Sequence, residues 1–196
     1  MTAAPTHPVV QMLAHRWFAV CRSYYRLRYP RRLRIGVGAV ITGRLRLVGT
    51  TRLSIGAHAV LRQSVRVDGG GEVTIGAHTR LNGDCWIGAS TLVTIGEWCL
   101  ISDCAIFDND FHNVEPDERH LPPRPEVAAP IHIGHNVWIG TRALVTKGSV
   151  IGADSVVGAG AVVRGAVPEG VVVIGNPATV VRTFDRHQVR VPGWSR

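Results

Sequence analysis

The sequence predicts an all-β chain wound as a parallel β-helix of about six triangular coils, with a short N-terminal helix and one long loop interrupting the coils. Three observations predict it. From Ile133 to Val163, six consecutive hexads (IGHNVW, IGTRAL, VTKGSV, IGADSV, VGAGAV, VRGAVP) each open with Ile or Val. The same spacing extends backwards through Ile35, Ile41 and Leu47, then Ile55, Leu61 and Val67, then Ile75, Leu81 and Ile87, then Ile95, Ile101 and Phe107. It breaks once, between Phe107 and Ile133. Neither a helix nor a simple strand repeats every six residues. Three hexads plus two residues make a 20-residue coil, which is the signature of a stacked solenoid.

Each hexad is read as one flat side and its turn. The opener points inward. Small residues four positions beyond it, at Ala59, Thr79, Cys99, Ala143, Ser155 and Ala161, suit crowded corners. Glycine after the opener admits close approach of a neighbouring backbone. Coils stacked at the usual strand spacing of about 4.8 Å would make six coils about 30 Å tall. The chain then divides into 1–34, a tail and amphipathic capping helix; 35–107, the first four coils; 108–130, a protruding loop; 131–168, the C-terminal coils; and 169–196, a closing strand and basic tail.

The helix is expected over Val9–Tyr29. Val10, Leu13, Trp17, Val20, Tyr24 and Leu27 recur at spacings of three and four, and Pro30 ends the run. Arg16, Arg22, Arg26 and Arg28 occupy another face. Two readings stay open: a cap on the open end of the coils, or peripheral contact with a membrane surface.

Composition narrows the class. An apolar content of 45% is too high for a disordered chain, and 6% aromatics with 22 glycines suits short strands and tight turns. The net charge is +8, yet Lys147 is the only lysine, and seven arginines fall between Arg16 and Arg34. Such a chain favours phosphate-bearing ligands or anionic surfaces. Nucleic acid is not expected, because the arginines cluster at one end without interleaved aromatics along a coil face. Cys21, Cys85, Cys99 and Cys104 form no CxxC pair, so neither a zinc signature nor a disulfide framework is expected. Met12–Val20 is interrupted by His15 and Arg16, so no signal peptide is read. With no long apolar run either, a cytoplasmic protein is expected.

Chemistry is expected in the loop, because a long excursion from a regular scaffold is more often functional than idle. Its residues, DNDFHNVEPDERHLPPRPEVAAP, include His112, His120, Asp108, Asp110 and Asp117. Histidine is the side chain best suited to general-base work near neutral pH.

Three stretches, VTIGEWCLISDCAIFDNDFH, PIHIGHNVWIG and GSVIGADSVVGAGAVVRGAVPEGVVVIGNPATVVR, resemble the hexapeptide-repeat acyltransferases. The resemblance runs from Ile75 to Arg182 and is nearest the galactoside, maltose and nodulation-factor O-acetyltransferase branch. It implies a left-handed coil, acetyl-CoA as acyl donor, no catalytic metal and a homotrimer with sites between subunits. It implies that His112, 16 residues beyond Gly96, takes a proton from an acceptor hydroxyl. Asp110 and Asp108 are both candidates to orient it, as is a backbone carbonyl. Asp84 stands where relatives carry an acceptor-contacting Asn. Trp138, Gly140 and Thr141 on one coil, with Gly158, Ala159 and Gly160 on the next, match the pantetheine groove. Arg164 and Arg182 match basic residues near the nucleotide end, and Arg186 could replace a basic residue missing at Thr179. The short basic start looks more like acetyltransferases of polysaccharide biosynthesis than the sugar acetyltransferases, which begin with a longer helical domain.

Three alternatives accompany this reading. An amino-sugar N-acetyltransferase would use nearly the same general base. A metalloenzyme resembling the gamma-class carbonic anhydrases would need a three-histidine set with a closely spaced pair; His78, His112 and His120 could be grouped, but the paired stretch is absent. A non-catalytic β-helical binding protein would leave the loop histidine without a role.

Overall fold

A computed structural model describes residues 8–185. A helix, α1 (Pro8–Arg28), leads into a parallel solenoid of the left-handed type, built from three sheets that form the sides of a triangular prism. The first side stacks Leu33–Ile35, Arg52–Ile55, Glu72–Ile75, Leu92–Ile95, Ile131–Ile133, Val150–Ile151 and Ala166–Val167. The second runs from Val40–Ile41 to Val171–Ile174, with an antiparallel strand, Thr179–Thr183, added at its end. The third has six strands, from Arg44–Leu47 to Val162–Val163. The first side thus counts seven levels, one more than the hexads suggest, because Ala166–Val167 adds a strand past the last regular hexad opener, as Val171–Ile174 does on the second side.

Inward openers stack from coil to coil, as in Ile35↔Ile55 or Ile101↔Ile139, and so do the inward residues two positions earlier, as in Leu33↔Leu53. They form one continuous apolar core. The small corner residues Ala59, Thr79, Cys99, Ala143, Ser155 and Ala161 are all buried. Three of them also bond between coils; the Cys99 thiol donates to the Gly134 carbonyl at 3.2 Å. The Thr79 hydroxyl donates to the Gly96 carbonyl (2.7 Å) and accepts from Cys99 N–H (3.0 Å), and the Ser155 hydroxyl donates to the Pro168 carbonyl (2.8 Å).

The repeat slips at one place. Ile106, not Phe107, is the buried partner of Ile87 and Val145. The turn between Ile101 and Ile106 is one residue shorter than its neighbours, so Phe107 points outward.

The helix caps the open end of the coils, but with the face opposite to its apolar stripe. The first coil has no neighbour below it, so its backbone groups need polar partners. Arg22 donates to the Ala39 carbonyl (3.0 Å) and Arg26 to the Ile35 carbonyl (2.7 Å). The Tyr25 hydroxyl donates to the Gly43 carbonyl and accepts from Leu45 N–H, both at 3.0 Å; the Tyr29 hydroxyl accepts from Leu47 N–H (3.3 Å). Leu13, Trp17, Val20, Tyr24 and Leu27 are left exposed. The closing strand forms at the other end; the basic tail, including Arg186, lies outside the described residues, as does the tail 1–7.

Candidate active site

The loop leaves the end of the third side at Asp108 and is anchored at its stem. The Asp108 carboxylate is buried and accepts from Ser90 N–H, Thr91 N–H and the Thr91 hydroxyl, each at 2.7 Å, and from Asn109 Nδ2 at 3.1 Å. A carboxylate so fully engaged ties the loop to the coil beneath. Of the two candidate partners for His112, Asp108 is therefore already committed. Across the stem, Ala129 N–H donates to the Asp108 carbonyl (2.8 Å) and Asp110 N–H to the Val127 carbonyl (3.0 Å). Lys147, from the next coil, closes the stem with an ion pair to Asp110 at 2.5 Å and a hydrogen bond to the Glu126 carbonyl at 3.3 Å.

Further out, Asn113 turns inward and organises the excursion. Its amide donates to the carbonyls of Glu118 (2.9 Å) and Pro122 (3.2 Å), and its oxygen accepts from Arg124 N–H (2.9 Å). Asp110, His112, Asn113, Val114, Arg119 and His120 line a cleft of about 480 Å³. His112 is exposed, and its ring makes no hydrogen bond among the described residues. Asp110 is the only carboxylate in that lining. His78 is elsewhere, stacked between His58 and Trp98 at centroid distances of 5.2 and 4.1 Å. The three histidines thus do not share one cleft, and no metal-holding group of three His, Cys, Asp or Glu side chains occurs among the described residues.

The sequence-selected residues of the donor groove, and Asp84, lie across the prism. Trp138 is exposed on the second side, in register between Leu100 and Val156. Thr141, Ala159 and Gly160 are exposed at the corner where the second side turns into the third, and the Thr141 carbonyl accepts from Gly160 N–H (2.9 Å). Asp84 is exposed at the same corner, lower in the stack. Two of the glycines have a structural reason to be there. A Cβ on Gly140 would lie 2.7 Å from Ala159 N, and one on Gly158 would lie 2.6 Å from Ile174 Cγ2. They allow coils to stack. At Gly160 the surroundings are open, and its φ of +69° makes glycine the natural turn residue.

Arg164 sits one residue past Val163, in the column above Thr146 and Phe107, at the loop's end of the third side. Arg182 is exposed on the closing strand, its guanidinium 5.1 Å over Phe184. Within one chain, then, the His112 cleft and the Thr141–Gly160 corner are separated by a full side of the prism, roughly 15 Å for a short strand.

An aromatic shelf under the loop was not anticipated. Trp86, Phe107 and Phe111 pack edge to face, with Phe107 4.9 Å from Trp86 and 5.1 Å from Phe111. Gly88 leaves their room: a Cβ there would lie 2.9 Å from Phe107 and 3.2 Å from Phe111. Asp68 accepts from Trp86 Nε1 (2.9 Å), and Arg66, bonded to Asp68, covers the Trp86 ring at 4.9 Å. Trp86 and Phe111 remain 40% and 42% exposed. One signal was available, since Phe107 is the only opener that is not Ile, Leu or Val.

The cysteines are free thiols. Burial pushes the Cys99 thiol up to about 11. The Cys85–Cys104 hydrogen bond raises Cys104, with burial in the same direction, and lowers Cys85 against the opposing effect of burial.

Residues 130–165 match the family model described as bacterial transferase hexapeptide (six repeats). Over 98 residues the chain is 38% identical to "Probable acetyltransferase Rv3034c" of Mycobacterium tuberculosis, covering 49% of this chain and 29% of that protein. Over 111 residues it is 32% identical to "Putative lipopolysaccharide biosynthesis O-acetyl transferase WbbJ" of Escherichia coli K12, covering 50% of this chain and 54% of that protein. The matched segments therefore span between about a third and about half of these relatives. The fold is similar to the crystal structure of AntD, an N-acyltransferase from Bacillus cereus in complex with dTDP and 3-hydroxybutyryl-CoA, with a TM-score of 0.68 at 18% identity over 84% of this chain and 89% of that one.

Proposed function

We propose that this chain is a hexapeptide-repeat acyltransferase that moves an acetyl group from acetyl-CoA to a hydroxyl of a saccharide acceptor. The observation that carries the reading is the anchored loop, which interrupts a transferase-type hexapeptide solenoid and holds the exposed His112 in an open cleft beside an aromatic shelf. Two relatives matched in sequence bear acetyltransferase names, and AntD binds an acyl-CoA on a similar fold. Acetyl-CoA as donor also makes the cytoplasm the expected compartment. Among the described residues no helix is long and apolar enough to cross a membrane.

In this reading the His112 imidazole takes the proton from the acceptor hydroxyl as its oxygen attacks the thioester carbonyl. Collapse of the tetrahedral intermediate breaks the C–S bond. The imidazolium returns the proton to the departing CoA sulfur. Asp110, across the cleft lining, stabilises the imidazolium, while Lys147 fixes Asp110 in place. The exposed corner of Thr141, Ala159 and Gly160 offers backbone groups to the pantetheine arm, with Trp138 as its outer wall and Gly140 and Gly158 keeping the coils tight beneath it. Arg164 and Arg182 are the candidate phosphate partners.

Because the loop cleft and the donor corner lie on different edges of one prism, the site is completed in this reading by a second copy beside the first. A threefold ring closes that contact three times, which supports a homotrimer with a site at each junction. Asp84 then approaches the acceptor from the donor side. The Trp86–Phe107–Phe111 shelf suits the apolar face of a pyranose ring, and Asp68 and Arg66 supply polar partners at its edge. The wording of WbbJ's name favours a hydroxyl on a polysaccharide precursor. AntD, an N-acyltransferase, makes an amino-sugar acceptor the second reading.

The test is CoA-thiol release from acetyl-CoA against sugars, amino sugars and nucleotide sugars, repeated with His112→Ala and Trp86→Ala. Turnover that needs His112, and an acceptor KM that rises in Trp86→Ala, are the expected results. Undiminished turnover in His112→Ala would remove the proposed base.

A further inference from the structure

The helix α1 carries an apolar stripe that is left exposed among the described residues. Trp17 is 63% exposed, Leu27 81%, and Leu13, Val20 and Tyr24 are more than half exposed. At 100° per residue these five share one arc, and Arg16 and Arg28 fall on its two flanks. The opposite arc is spent on the coil, where Arg22, Tyr25, Arg26 and Tyr29 bond its open backbone edge. The stripe is therefore held outward by hydrogen bonds that fix the helix's roll.

Charge says what fits it. The first 67 residues hold twelve arginines and no aspartate or glutamate; the acidic residues begin at Asp68. All fourteen acids lie in the remainder of the chain, with ten basic residues. At the helix's C-terminal end, Arg28, Tyr29, Pro30, Arg31, Arg32 and Leu47 line a cleft. One Arg32 nitrogen, Nη2, is buried there without a hydrogen-bond partner, although its Nε donates to the Thr51 carbonyl (3.0 Å). A second copy docked stripe to stripe would bring arginine flanks together with no acid to answer them. A bilayer carrying phosphodiester headgroups answers both features, taking the apolar side chains at the acyl boundary and the guanidinium groups at the phosphates. Trp17 and Tyr24 are the side-chain types that settle at such an interface.

We infer that the Leu13–Leu27 face of α1, with the arginines around it, docks the solenoid end-on to an anionic membrane surface. This inference does not rest on the acyl-transfer reading. It applies to any catalytic outcome, and it leaves the loop face of the prism free.

The test is flotation of the full chain with vesicles of pure phosphatidylcholine and of phosphatidylcholine with 30% phosphatidylglycerol, at low and high salt. Binding is expected only with phosphatidylglycerol and is expected to weaken with salt. Arg16→Ala and Arg28→Ala should each weaken it about fivefold, as about 1 kcal/mol per surface arginine implies. Trp17→Glu/Leu27→Glu should abolish binding; circular dichroism and melting should match wild type because both side chains are exposed. Equal binding to both vesicles, or none to either, would overturn the inference. So would a Trp17→Glu/Leu27→Glu protein of smaller assembly size in light scattering, because the stripe would then be a subunit contact.

Discussion

Proton transfer in the proposed reaction passes through one exposed imidazole, and its exposure makes it easy to test. His112→Ala removes no buried group, so folding should be unchanged, while turnover should fall by about 10²–10⁴-fold with CoA binding retained. His120 lines the same cleft, and His120→Ala separates the two: turnover within a few-fold of wild type assigns the base to His112. A second residue gives a pH signature. Cys99 is buried, and its folded value near 11 stands above the ordinary thiol value of 9.0. The folded chain holds that proton where the unfolded chain has lost it. The associated stability is complete below about pH 9 and disappears as pH rises towards 11, a loss of roughly 2–3 kcal/mol. Urea unfolding at pH 8 and pH 11 should therefore show the gap between wild type and Cys99→Ala narrowing by about that amount. A constant gap would mean the thiol is not held in that state.

Among the elements, the coils and the loop stem fail differently. Ala143 fills a corner with no spare volume, and Ala143→Leu should lower stability by about 1–3 kcal/mol through overpacking. Lys147→Ala breaks the clamp to Asp110 and Glu126 but touches no core residue. It should speed proteolysis within residues 114–124 while shifting the melting temperature little. This division matches what could be read from the sequence. The six-residue period specifies the inward openers and buried corners, because core packing imposes it on every coil. It mistook Phe107 for an inward residue, since one shortened turn between Ile101 and Ile106 leaves no trace in an apolar tally. It located the loop but not its clamps: Asp108, Asn113 and Lys147 act through partners that only the fold brings near. The helix was legible as a helix, yet its orientation was not. Apolar periodicity points a stripe at a core, whereas the end of a solenoid asks for hydrogen bonds, and Arg22, Tyr25, Arg26 and Tyr29 supply them.

At the scale of the molecule, the prism sorts its candidate sites by edge and end. One edge carries the loop cleft and Arg164, another carries Asp84 and the Thr141–Gly160 corner, and the arginine-rich end carries the outward helix stripe. No single prism brings the two edges together, so the proposed trimer makes a prediction that neither edge makes alone. Take His112→Ala, which lacks the proposed base, and Thr141→Trp, which fills the proposed donor corner from an exposed position. Each homotrimer should be inactive. Co-expressed in equal amounts, the two chains should form mixed rings in which about a quarter of the junctions pair an intact His112 with an intact corner. Acetyl-CoA turnover should then recover to about a quarter of wild type. Mixed trimers with no recovered turnover would contradict a site shared between copies.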